Sequence, residues 1–139
     1  MKKIAVDNKT LGQAIINTLK DGQKAQITVR GQSMYPFFKD GKTQVTLTTK
    51  ESYQKGDVIF FSYQDQYRLH RIISIKDQEV ICSGDFLRQK EIINTQDIIG
   101  YVESYENHHK IIVTTSKNYR FKVFLWSLLK PFILFLVRR

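Results

Sequence analysis

Three residues carry side chains suited to acyl transfer: Ser33, His70 and Asp85. Ser33 stands in Gly31-Gln32-Ser33-Met34-Tyr35-Pro36, between a glycine turn and a proline-fixed turn. Gly31 accepts backbone angles that other residues resist. Pro36 fixes its own φ and drives Tyr35 towards an extended conformation. Such a corner points a hydroxyl outward, with backbone N–H groups nearby to hold an oxyanion. On local composition alone, the same stretch also reads as a Gly-Ser turn of a β-protein.

A serine nucleophile needs a base. His70 lies in Tyr67-Arg68-Leu69-His70-Arg71-Ile72-Ile73, where 67, 69, 71 and 73 face one way and 68, 70 and 72 the other. Imidazole is the side chain best matched to taking a serine proton near neutral pH. From the local run alone, a satisfied core or sheet histidine is the default reading of such a position. Asp85, in Ser83-Gly84-Asp85, ends a strand at a glycine-assisted turn, where a carboxylate could orient the imidazole. It also reads as an Asx-turn residue bonding its own backbone. His108 and His109 fall in the polar loop before Lys110; with no further ligand spaced nearby, they read as a solvated turn and imply no metal. No cofactor is implied either.

The single cysteine, Cys82, excludes an internal disulfide framework and a cysteine-rich zinc site. In Val80-Ile81-Cys82 it reads as a small buried hydrophobe. At 139 residues the chain is long enough for one domain with its own core.

Which elements position these residues? Thr10 and Gln13 read as a capping box, and Leu11, Ile15 and Leu19 give a short amphipathic helix from about residue 10 to 20, stopped by Gly22. From Lys24 the period changes to two: Ala25, Ile27, Val29, then Val45 and Leu47. Val58-Ile59-Phe60-Phe61 reads as a fully buried strand. Short strands punctuated by Gly, Asp and Asn, without helices between them, argue an antiparallel, mainly β fold.

Residues 1–120 therefore read as a β-domain with an N-terminal helix, and 121–139 as a basic, hydrophobic helical tail. Lys122, Lys130 and Pro131 count against a spanning helix. A kinked helix in a membrane interface is the better functional reading, and docking on this domain or a partner is the alternative. After Met1-Lys2-Lys3 only Ile4-Ala5-Val6 is apolar, so no secretory signal is expected, and the location expected is cytoplasmic or peripheral to a membrane.

Several stretches, taken in order, resemble the boxes of the signal peptidase I / LexA-like (S24/S26) serine peptidases. These are Gly31-Gln32-Ser33-Met34-Tyr35-Pro36 with Asp40-Gly41, Lys55-Gly56-Asp57-Val58-Ile59-Phe60-Phe61, Leu69-His70-Arg71-Ile72-Ile73, Ser83-Gly84-Asp85 and Ile98-Ile99-Gly100-Tyr101-Val102. The resemblance runs from about residue 25 to 103. It implies a LexA/signal-peptidase-like antiparallel β-fold and assigns Ser33 as nucleophile. His70 occupies the base position that lysine holds in the common bacterial signal peptidases, so the resemblance is to the Ser-His type. Asp85 is then the implied acidic partner. That type carries a further acidic residue a few positions on, for which Glu91 is the nearby candidate.

Two departures stand out. The family's Gly-Asp-Asn-Asn is here Gly84-Asp85-Phe86-Leu87, and Gly31 offers no hydroxyl to an oxyanion hole, which would rest on backbone N–H groups such as that of Ser33. No anchor is expected at the front. The span before residue 25 is too short for a helix-turn-helix domain, and self-cleavage is not expected.

The function expected is a serine endopeptidase cleaving an extended peptide, with Met34 and Phe37 lining the substrate site. The alternative is a non-catalytic peptide-binding module that retains the fold. The formal charge of +9, from 22 basic and 13 acidic residues, attracts anions generally. Scattered Lys and Arg without an aromatic-basic motif argue against nucleic acid. The partners expected are a peptide or precursor protein and, through 121–139, a membrane surface or membrane-bound protein.

Overall fold

In the computed structural model the described residues are 2–4 and 8–137. Residues 5–7, on which part of the signal-peptide reading falls, and 138–139 at the end of the tail lie outside them. The described chain forms β1 (Lys2–Ile4), α1 (Asn8–Lys20), β2 (Ala25–Thr28), β3 (Gln44–Thr48), β4 (Val58–Tyr63), β5 (Gln66–Lys76), β6 (Glu79–Ser83), β7 (Lys90–Asn94), β8 (Ile98–Asn107), β9 (Lys110–Val113) and α2 (Lys117–Val137). Nine strands make one sheet in the order β1-β2-β3-β8-β4-β5-β6-β7, with β9 on β8. Among the described residues only the β1–β2 pair is parallel. This is the mainly antiparallel β fold with a helix at each end that the alternation predicts.

The four-residue run 58–61 explains why the sheet can be covered on both faces. Val58 and Phe60 join one apolar cluster, with Ile15 and Leu19 of α1, Ile27, Val45, Leu47 and Val102. Ile59 and Phe61 join a second, with Ile72, Val80, Cys82 and Ile93. Cys82 is fully buried, as its apolar neighbours suggest.

Two boundaries differ from expectation. α1 begins at Asn8, so Thr10 lies inside its first turn instead of capping it. The C-terminal helix begins at Lys117, four residues before the apolar run, and continues through Pro131. Among the described residues no helix is long and apolar enough to cross a membrane.

Candidate active site

Ser33 follows β2 in a run of tight turns closed by Tyr35 N–H donating to the Gln32 carbonyl, and Phe37 and Phe38 N–H to that of Met34. Gly31 takes φ +86°, and its N–H donates to Asp40 Oδ1 at 2.8 Å, which pins the start of the turn. The Ser33 carbonyl accepts from Phe86 N–H at 2.9 Å, tying this corner to the turn after β6.

The register of β5 against β6 sets what His70 can meet. Arg71 pairs with Ser83 and Ile72 with Cys82, and on the far side of β6 Cys82 pairs with Glu91. Side chains alternate along a strand, so His70, Ile72, Cys82 and Glu91 share one face. The small Cys82 between them lets the glutamate reach across. His70 Nδ1 lies 2.7 Å from Glu91 Oε1, with both residues buried, at 4% and 1% exposure. The second carboxylate oxygen accepts from Arg68 Nη1 at 3.1 Å, and Cys82 Sγ donates weakly to Oε1. A carboxylate on Nδ1 fixes that nitrogen as the donor and leaves Nε2 with its lone pair.

Nε2 is turned towards the corner that holds Ser33. A Cβ built on Gly84 would lie 3.2 Å from His70 Nε2 and 2.6 Å from the Ser33 carbonyl oxygen. The ring and the Ser33 backbone therefore close on the same glycine, which has no room for a side chain. Ser33 and His70 also share the wall of one cleft of about 330 Å³, with Leu11, Ile27, Met34 and Leu87 among its lining.

Asp85 does not serve His70. It lies in the turn after β6, and its carboxylate goes to Arg71, whose side chain is on the face of β5 opposite the imidazole. Its oxygens take Arg71 Nε at 2.8 Å and Nη2 at 2.7 Å in a buried fork. Arg71 Nη1 donates onward to the Gly56 carbonyl and the Tyr119 hydroxyl. Burial works against the guanidinium's charge, but the Asp85 carboxylate more than offsets it and holds the arginine's pKa well above its ordinary value. The acid reached by His70 is Glu91, which the resemblance offered only as a further candidate.

Phe37 also lies elsewhere than expected. It is buried against the Arg71 guanidinium and the Tyr119 ring, so it packs the core and does not line this cleft. Met34 lines the cleft and turns its Sδ to Asp85 N–H at 3.4 Å.

Sequence reading missed α2's part in this arrangement. Its inward stripe reaches the turn after β6. Lys130 Nζ donates to the Gly84 carbonyl at 2.8 Å, and Trp126 Nε1 to that of Asp85 at 2.8 Å. Trp126 stacks near Phe86, and Phe86 meets Tyr35 edge-on. Partial burial draws the Lys130 pKa below its ordinary value, against the opposing pull of Asp85. Arg68 was missed too, although its phase with His70 puts it on the same face.

The family model described as Peptidase S24-like matches residues 2–103, most of the chain, and takes in Ser33, His70 and Glu91. The chain belongs to the Peptidase S24-like family. That membership agrees with the LexA-like fold expected from the ordered boxes. The S24-like match ends within β8, so α2 lies beyond it. The search of curated proteins found no match.

Proposed function

We propose that this S24-like protein is a serine endopeptidase in which Ser33 is the nucleophile, His70 the general base and Glu91 the carboxylate that orients it. Ser33 Oγ attacks the scissile carbonyl carbon while His70 Nε2 takes the hydroxyl proton. Glu91 holds Nδ1–H and stabilises the imidazolium that results. The tetrahedral intermediate collapses, the C–N bond breaks, and His70 returns the proton to the leaving amine. Water then attacks the acyl-enzyme by the same route and frees Ser33. Backbone N–H groups at the corner, that of Ser33 among them, are the candidate oxyanion donors.

The observation that carries this reading is the His70 ring itself. It is held at Nδ1 by a buried carboxylate and directed at Nε2 to the point where the Ser33 backbone also arrives. A structural histidine needs no such alignment with a serine turn. Substrate binding has a matching support. β5 pairs with β4 along one edge, but with β6 on the other only from Arg71 onward. Residues 68–70 thus leave their second edge beside the cleft, where an extended peptide can add as a strand ending at His70. The apolar lining suits small or aliphatic side chains next to the scissile bond.

The non-catalytic alternative was motivated by the departure at Phe86 and Leu87. Glu91 supplies the carboxylate that this departure left in question. Labelling with a serine-directed covalent probe, followed by peptide mapping, tests the proposal. Modification of Ser33 in the native chain, absent in Ser33→Ala and strongly slowed in His70→Ala, is the expected result. Peptide hydrolysis that survives Ser33→Ala would overturn it.

A further inference from the structure

α2 is apolar on two sides, and the described residues cover only one. Tyr119, Val123, Trp126, Lys130 and Leu134 recur at helical spacing along the side that meets the domain. On the opposite side Phe121, Phe124, Leu128, Phe132, Phe135 and Leu136 are 54–78% exposed. With Leu125 and Leu129 beside them, they present on the order of 1,000 Å² of apolar surface, against about 300–600 Å² for the largest patch of an ordinary soluble monomer. The lysine that interrupts this run in the sequence does not interrupt the surface. Lys130 is turned inward onto the Gly84 carbonyl, so the outer stripe from Phe121 to Leu136 carries no charged side chain within it.

The segment of sequence that carries the stripe has charge of one sign. From Asn107 to the last residue there are seven Lys and Arg and no Asp or Glu, which is +7 of the chain's +9. Arg120 and Lys122 are exposed near one end of the stripe, and two arginines follow its other end in the sequence. A long, narrow, aromatic-rich apolar face set among cations matches the chemistry of an anionic bilayer surface, where the rings enter the acyl boundary and the cations stay with the headgroups. A protein partner covering the same face would need acidic groups to meet those cations.

We propose that the outer face of α2 docks this protein on an anionic lipid surface, lying in the plane of the interface. The inward stripe then links that surface to the turn at Gly84. The inference does not depend on the catalytic reading, because its measurement is binding alone.

Flotation of the full chain with vesicles of phosphatidylglycerol or of phosphatidylcholine tests it, beside a Phe124→Asp/Phe132→Asp/Phe135→Asp variant. These three side chains are exposed, so the variant is expected to melt like the native chain. The native chain is expected to float with phosphatidylglycerol at least about ten-fold more strongly than with phosphatidylcholine, with high salt narrowing the difference. The variant is expected to lose about ten-fold or more of its binding to either. Absence of flotation with both lipids, or binding that survives the triple substitution, overturns the proposal. So does sedimentation showing a dimer that the substitutions dissociate while neither protein meets vesicles, since the face would then belong to a second copy.

Discussion

The guanidinium of Arg71 grips both carboxylate oxygens of Asp85, at 2.8 and 2.7 Å, on the face of β5 opposite His70. One strand therefore serves two adjacent buried carboxylates with opposite duties. His70 takes Glu91, and Arg71 takes Asp85 and ties β5 to α2 through Tyr119.

Asp85→Asn should act mainly on stability. It leaves the buried arginine without its counter-charge, and breaking such a pair costs about 3–5 kcal/mol. That corresponds to a fall in Tm on the order of 10 °C for a domain of this size. Thermal unfolding by circular dichroism measures it; a Tm within a degree or two of the native value would mean that the fork contributes little.

Gly84→Ala should damage activity more than folding. The added methyl would meet the Ser33 carbonyl oxygen at 2.6 Å and push it from His70 Nε2. A displacement of about 1 Å at a reacting group costs on the order of 10²-fold in rate. Peptide turnover at saturating substrate is the measurement, with the loss expected in kcat.

Cys82 should be inert in the native protein. Burial, with the Glu91 charge adding to it, pushes the thiol from its ordinary value near 9 up to about 12. Iodoacetamide at pH 8 should therefore alkylate it only after denaturant is added. The folded thiol holds its proton longer than the unfolded one, so its contribution is complete below about pH 9 and is lost as the pH rises towards about 12. Cys82→Ala should flatten that part of the pH–stability curve.

Lys130 and Trp126 should behave as positioning residues. They hold the Gly84 and Asp85 carbonyls, and the same turn holds the Ser33 carbonyl through Phe86 N–H. Trp126→Phe removes one hydrogen bond, about 1 kcal/mol of stability. Lys130→Met should lower kcat several-fold with KM little changed, and Lys130→Arg should recover part of it. An unchanged kcat in Lys130→Met would limit the helix to packing.

The turn at Ser33, the alternation that makes the strands and the doubly buried run 58–61 were all legible, because each is a local pattern in consecutive residues. The choice between Asp85 and Glu91 was not. It depends on the register of β5, β6 and β7, which brings Glu91 to the face of His70, and on the turn after β6, which hands Asp85 to Arg71. Within 90–94 the buried positions are Glu91 and Ile93, but adjacent Ile92 and Ile93 offer an apolar residue to either phase, so the sequence alone does not turn Glu91 inward. Phe37 misled because an aromatic next to a reactive turn suggests a pocket, whereas here it caps the Arg71 fork. A helical tail from 121 onward was legible from its composition, but a segment apolar all round does not reveal which side packs inward, and Lys130 facing the domain was hidden for that reason.

The most direct test of the account is the rate at which a serine-directed probe acylates Ser33 in Glu91→Gln, compared with the native chain at equal folded fraction. Neutralising the group that holds Nδ1–H should slow acylation by about 10²–10⁴-fold while Ser33 remains the labelled residue. An undiminished rate in folded Glu91→Gln would contradict the role given to this carboxylate, and labelling elsewhere than Ser33 would contradict the site.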